Sequence, residues 1–212
     1  MLQLQKFTFN PMQENTYIVY NDAKQAMIID PGCYDALEQN ILSAFITNNE
    51  LTPVLLVNTH CHIDHIFGNA YISQLYNLPL QAHIEEEKVM AFDDASAARW
   101  QLNYTKSPRI ASYLVENTVL KLGNDEFEIR FVPGHSPGSI ALYNAENNFC
   151  IVGDALFNNS IGRTDLPGGN HEQLLQSIRT QLFTLPENTQ IHSGHGGVTT
   201  IGKEKMSNPF LR

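Results

Sequence analysis

The stretch THCHIDHIFGNA, residues 59 to 70, crowds His60, His62, Asp64 and His65 into a single short segment. It follows PVLLV, an apolar, β-branched run with the length of a buried strand, and precedes IFGNAYISQLYN, which reads as a helix. The cluster therefore falls at a strand-to-helix turn, a usual position for a site in an α/β fold. Buried imidazoles and carboxylates are costly unless paired or coordinated, so a chance polar turn explains the cluster poorly. In an extended segment residues i and i+2 project to one side, so His60 and His62 can share one metal ion. Asp64 and His65 project differently and can serve a second. Imidazole suits zinc, iron or manganese alike, and the carboxylate adds a harder oxygen.

Two ions need more ligands, and the remaining sequence offers them at matching places. VPGHSPGSIAL puts His135 directly after an apolar strand, FCIVGDALF ends another with Asp154, and TQIHSGHGG ends the last with His195. With the first cluster these make a set sufficient for two metals and one bridging carboxylate. Each polar residue stands at the C-terminal end of a strand, and that shared position makes the set stronger than any one member.

The rest of the chain has a repeated grammar. Three strand-like runs, LQKFTFN, NTYIVYND and QAMIIDPG, lead to a helix-like DALEQNILSAFITNN and then to PVLLVNTH. Near residue 118 the pattern restarts with TVLKLGNDEFEIRFVPGH and SIALYNAENNFCIVGDAL, followed by a helical EQLLQSIRTQLFTL. Strands in both halves with helices after them predict two sheets face to face and helices outside, an α/β sandwich. With 212 residues, one domain spanning 1–212 is expected. Residues 84–117 are polar and read as a mostly helical insertion, either a plain surface feature or a substrate wall with Trp100 and Tyr104 in contact.

Composition narrows the partners. Thirteen Lys plus Arg against 22 Asp plus Glu give a net charge of −9, which opposes nonspecific nucleic-acid binding. No apolar run is long enough for a membrane span. Three separated cysteines without a C-x-x-C fit reduced thiols, and a cytoplasmic address is expected. Nothing in the sequence speaks to an oligomeric state.

H-x-H-x-D-H followed by G-H-S-P-G-S, G-D and a late G-H-G resembles the metallo-β-lactamase superfamily of hydrolases. NPMQENTYIVY, IIDPG, GRTDLPGG and GGVTTIGKEKMSNPF look like its small glyoxalase II-type and persulfide-dioxygenase-type members. The resemblance implies a four-layer αβ/βα sandwich. It implies one metal on His60, His62 and His135, a second on Asp64, His65 and His195, and Asp154 between them. Relatives that carry a cysteine ligand put it where this chain has Asp154, which argues against antibiotic hydrolysis as the main activity.

A divalent ion brings the pKa of its bound water from 15.7 towards roughly 7, giving hydroxide at neutral pH. A thiolate leaving group needs little acid help, since thiol pKa values lie near about 8.5. The leading expectation is therefore a dinuclear metal hydrolase, most simply with zinc, though iron or manganese also fits. Its substrate would be a small thioester of the S-(2-hydroxyacyl)glutathione type, attacked by metal-bound hydroxide with Asp64 and Asp154 around it. A mononuclear iron persulfide dioxygenase using His60, His135 and Asp154 is the alternative enzyme, and a metal-binding protein without catalysis is the third reading. Arg163 either pairs with a nearby aspartate or binds an anionic substrate end, and Tyr104 is a candidate substrate contact. Asp30 either closes a turn or orients a liganding histidine. Among the other histidines, His83 and His171 read as local structure, and His192 as a support for His195. Cys61, alternating away from the ligands, reads as packing.

Overall fold

Local chain direction decides how the strands meet. In the computed structural model, which describes residues 2–212, β1 (Gln3–Phe9), β2 (Glu14–Tyr20) and β3 (Gln25–Ile29) form an antiparallel meander. Helix α1 (Ala36–Asn48) then returns the chain to β4 (Thr52–Val57), parallel to β3. Asp35 caps α1 by accepting from the backbone N–H of Glu38. Helices α2 (Ile63–Ile66) and α3 (Asn69–Tyr76) lead to β5 (Leu80–Ala82). A 3-10 turn, Ile84–Glu86, helix α4 (Glu87–Met90) and helix α5 (Asp93–Trp100) lead to β6 (Ile110–Tyr113). Each of these last strands joins parallel, as helical crossovers require, and completes a sheet in the order β1 to β6.

The second sheet begins with β7 (Val119–Leu122), β8 (Asp125–Phe131), β9 (Ile140–Asn144) and β10 (Phe149–Gly153), neighbours in antiparallel succession. A short ribbon of β11 (Leu156–Phe157) and β12 (Ser160–Ile161) precedes α6 (His171–Ser177). The chain then enters β13 (Gln190–Ser193), parallel to β10, and ends with β14 (Thr199–Thr200) and α7 (Ile201–Ser207).

Side-chain alternation produces four layers. Tyr17, Val19, Met27, Ile29 and Val57 of the first sheet meet Ile129, Ile140, Leu142, Phe149 and Ile151 of the second in one buried cluster. Their neighbours along the same strands face outward to the helices. Ile18, Ala26, Ile28 and Leu56 pack with Leu42 and Ile46 of α1 and Ile72 of α3. Ala141, Cys150 and Val152 pack with Leu174 and Leu175 of α6 and Ile201 of α7. The αβ/βα sandwich expected from the sequence is the observed architecture. The largest of these side chains, such as Tyr17, Phe127, Met27 and Leu42, are wholly buried, each stabilising the fold by roughly 1.5–3 kcal/mol.

Three local expectations change. The helix read over 66–77 breaks after Ile66 and restarts at Asn69. Gly68 sits there because a Cβ would run into the Cys33 sulfur and the Pro31 carbonyl. The stretch 84–117 is helical only to Trp100, and Ile110–Tyr113 is an edge strand of the first sheet. Pro108 stops a helix there, and burial of Ile110 beside three exposed residues made the strand hard to see. The helix after Asn170 widens into a π turn at Ile178–Leu182.

Candidate metal centre

Strands β4, β8, β10 and β13 end on one side of the sandwich, and the seven polar residues gather there. His60 follows β4 by a short loop, and His62 stands at the N-terminus of α2 with extended backbone, φ −64° and ψ 151°. Asp64 and His65 lie within α2, His135 in the loop after β8, Asp154 just past β10 and His195 just past β13. Glycines permit the approach. Gly153 has φ +51°, and a Cβ there would strike the Thr59 hydroxyl. A Cβ on Gly194 would strike the Asp154 carboxylate.

The donor atoms form two groups that share Asp154. His62 Nδ1 lies 2.8 Å from His135 Nε2, which lies 3.2 Å from His60 Nε2. Two nitrogens held about 2.0–2.1 Å from one ion in a tetrahedral site stand about 3.3 Å apart, so this triad has the spread of a ligand set. In the second group His195 Nε2 is 3.2 Å, and His65 Nε2 3.9 Å, from the Asp64 carboxylate. Asp154 lies 3.5 Å from His65 through one oxygen, and 3.5 Å from both His135 and His195 through the other. His60, His62 and His135 form one candidate ligand group and Asp64, His65 and His195 another. The buried atoms His65 Nε2 and Asp154 Oδ1 have no hydrogen-bond partner, although such atoms are normally satisfied. A cation between the groups would satisfy both, so the residues present fit two metal ions.

Four histidines are turned by bonds on their far nitrogen. His65 Nδ1 donates to Asp30 at 3.2 Å, His135 Nδ1 to the Arg163 carbonyl at 2.8 Å, and His195 Nδ1 to the Gln13 carbonyl at 3.2 Å. The Thr59 hydroxyl donates to Asp30, so its oxygen accepts from His60 Nδ1 at 3.2 Å. Each leaves Nε2 facing the cluster. His62 is the exception and presents Nδ1. Asp30 also accepts from the Thr59 backbone N–H at 2.7 Å and from Asn58. It thus orients a histidine rather than closing a plain turn.

Electrostatics divide the rings. Burial, reinforced by neighbouring imidazoles, holds His60 well below its ordinary pKa and brings His62 down to about 3. Burial acts the same way on His65, but the carboxylates of Asp154 and Asp64 outweigh it and raise that ring well above the usual value. Burial likewise opposes ionisation of Asp154, yet His65, His135 and His195 hold it well below the carboxylate range.

Two buried glutamates beside the cluster escaped the sequence reading. Glu86, wholly buried, accepts from the backbone N–H of Cys61 at 2.6 Å, from that of Gly138 at 2.7 Å and from the Ser136 hydroxyl. It therefore clamps the His60–His62 segment to the His135 loop. Burial pushes it up to about 7 against those three donors. Glu14, also buried, accepts from Thr16 and has an oxygen 3.8 Å from His65 Nδ1. Its only sequence signal is a charge inside an otherwise strand-like run.

The other expected residues separate. Trp100 lines a cavity of about 700 Å³ beside the cluster, and so does Arg163. The Arg163 guanidinium is held by Asp165 through two bonds of 2.7 and 2.8 Å. Tyr104, expected against substrate, lies outside the cavity lining, because its hydroxyl donates to Asp93 at 3.0 Å and accepts from the Ser107 N–H. His192 turns away from His195 and sits between the rings of Tyr17 and Phe149. His83 packs on Phe131, His171 opens α6, and Cys61 is buried in the core.

The chain is similar to known proteins in sequence and fold. The chain is 38% identical over 207 residues to hydroxyacylglutathione hydrolase GloC of Haemophilus influenzae, covering 94% of this chain and 93% of that one. The crystal structure of BLEG-1 B3 metallo-beta-lactamase superposes with a TM-score of 0.91 at 36% identity, over 99% of both chains. That of TTHA1623 in a di-iron-bound form gives 0.88 at 35% identity, over 98% of this chain and all (100%) of that one. Residues 9–195, from the end of β1 to the last of the seven clustered side chains, match the metallo-beta-lactamase superfamily, and the chain belongs to that superfamily.

Proposed function

We propose that the protein is a dinuclear metallohydrolase that cleaves a small thioester of the S-(2-hydroxyacyl)glutathione type. The observation that carries this reading is the position of Asp154, within 3.5 Å of both groups, with one buried oxygen left unpartnered. His60, His62 and His135 would hold one divalent ion, and Asp64, His65 and His195 the other, with Asp154 shared. When bound, the ions supply Lewis acidity and an ionised water at neutral pH. Zinc, iron and manganese all suit imidazole and carboxylate donors. Similarity to a hydroxyacylglutathione hydrolase supports the thioester, and similarity to a di-iron structure supports two ions.

The protein's own residues have three tasks. Asp64 and Asp154 carry the negative charge that offsets the ions and orient the attacking water. Asp30, Thr59 and the carbonyls of Arg163 and Gln13 hold the imidazoles in register. The apolar cavity wall lines the approach to the scissile carbonyl. Hydrolysis forms a C–O bond and breaks the C–S bond, and the water's second proton ends on the departing thiolate or in solvent. Two donor groups exceed what a single iron needs, so a mononuclear dioxygenase is not favoured.

The test counts metals per purified chain and assays S-lactoylglutathione hydrolysis beside oxygen uptake with glutathione persulfide. Two ions with hydrolysis are expected. One iron with persulfide-dependent oxygen uptake overturns the reading, and two bound metals without either activity overturn the substrate.

A further inference from the structure

The cavity beside the cluster has a chemistry of its own. Its floor is the metal-ligand cluster, and its walls are apolar. Val89, Phe92, Trp100 and Leu102 line it, as do Phe157 and Leu166. Phe92 and Trp100 are 55% and 60% exposed, so much of each ring is open to solvent. They are held in place from beneath, where Ala97 of α5 packs with Ile63, Phe67, Met12 and Leu102.

Charge in the lining is nearly all negative or committed. Asp64 and Asp154 are the carboxylates, and Arg163 is the one Lys or Arg among the lining residues, already bound in both directions by Asp165. Arg99 lies over the Trp100 ring, 5.9 Å from its centroid, but is not part of the lining.

We propose that this apolar wall selects substrates by an uncharged alkyl or aryl acyl group attached to the scissile carbonyl, and that the charged tripeptide of glutathione contributes little to recognition. The proposal rests on the thioester hydrolase reading, keeps its thioester and metal cluster, replaces its small 2-hydroxyacyl group by a longer apolar one, and names which end of the thioester the cavity grips. The two ends of a thioester diverge from the carbonyl, which must lie at the cluster. A glutathione end would bring two carboxylates and an ammonium against apolar walls whose one Lys or Arg, Arg163, is already held by Asp165, so those charges would find no partner there. A lactoyl group fills only a small part of 700 Å³ and meets few of the walls. An extended apolar acyl group satisfies both constraints, covering Phe92 and Trp100 and leaving the carrier in solvent.

The chain has one tryptophan, so Trp100 emission reports the wall directly. The metal-loaded protein is titrated with octanoate and with lactate while that emission is followed. In parallel, kcat/KM is measured for lactoyl, butanoyl and octanoyl glutathione, and for octanoyl N-acetylcysteamine. Burial of a methylene favours binding by about fourfold, so kcat/KM rises by at least about tenfold from butanoyl to octanoyl. Exchange of the carrier changes it little, octanoate shifts Trp100 emission saturably, and lactate does not. Phe92→Ser lowers the octanoyl-to-butanoyl ratio. A ratio that is flat or falls with chain length, or an octanoyl substrate that needs glutathione, overturns the proposal. If octanoate moves the emission while no thioester is cleaved, the hydrolase reading fails and the subsite stands. If lactoylglutathione is cleaved best and the emission is silent, the subsite fails and the hydrolase reading stands.

Discussion

Asp154 carries a different burden from the six other donors, because its carboxylate lies 3.5 Å from His135 of one group and from His65 and His195 of the other. Removing it leaves His65 without its strongest charge partner and leaves two ions to repel one another across a gap. Asp154→Ala is expected to retain less than about one ion in two and to lose at least roughly 10²–10³-fold in kcat, the scale of a lost electrostatic stabiliser. Metal analysis beside kinetics checks this, and full activity with two ions would sink the bridging role. At this scale the sequence was informative where residues ended apolar strands. His60, His135, Asp154 and His195 stood out because each follows an apolar strand-like run. Glu14 and Glu86 did not, because a buried carboxylate and a surface one are the same letter. Tyr104 misled in the opposite sense, since an aromatic in a polar stretch looks like a contact until its hydroxyl partners are known.

The insertion helices reach the metal centre through the apolar contact of Ala97 with Ile63 and Phe67 and through the hydrogen bonds of one side chain. Glu86 begins that stretch and reaches the backbone at Cys61 and Gly138, on either side of the gap between two ligand loops. Glu86→Gln keeps one acceptor and replaces the other by a donor facing N–H or O–H groups. Metal affinity is expected to fall by about 10–100-fold, as for other changes in the groups that orient ligands. A chelator competition measures this, and an unchanged affinity would show that the clamp is only packing. At this scale the long, alternating elements were readable, and the short ones were not. The first three strands and α1 follow period and caps, whereas β6 has one buried residue and no pattern to betray it.

Across the whole molecule, the proposed ions would join both sheets, since His60, His62, Asp64 and His65 follow a strand of the first and the other donors follow strands of the second. Metal binding to the native state alone stabilises by mass action, about 4.1 kcal/mol at a thousandfold excess over Kd. For a chain of this size that corresponds to roughly 8–16 °C in Tm. Chelated protein is therefore expected to melt lower by about that amount and to recover on metal return, which scanning calorimetry checks. An unchanged Tm would show that the apoprotein already holds the seam. The four-layer plan was legible because both faces of its central strands are apolar. The seam was not, because bonds such as Ile140 N–H to the Thr59 carbonyl join segments far apart in sequence.

The clamp at Glu86 also sets a rule for how such a scaffold could be diversified. A new wall can be spliced in only downstream of residue 86, because a graft that replaces Glu86 would import a new specificity and discard the support of the ligand loops together. Chimaeras cut before and after Glu86 should therefore differ in metal retention before they differ in substrate.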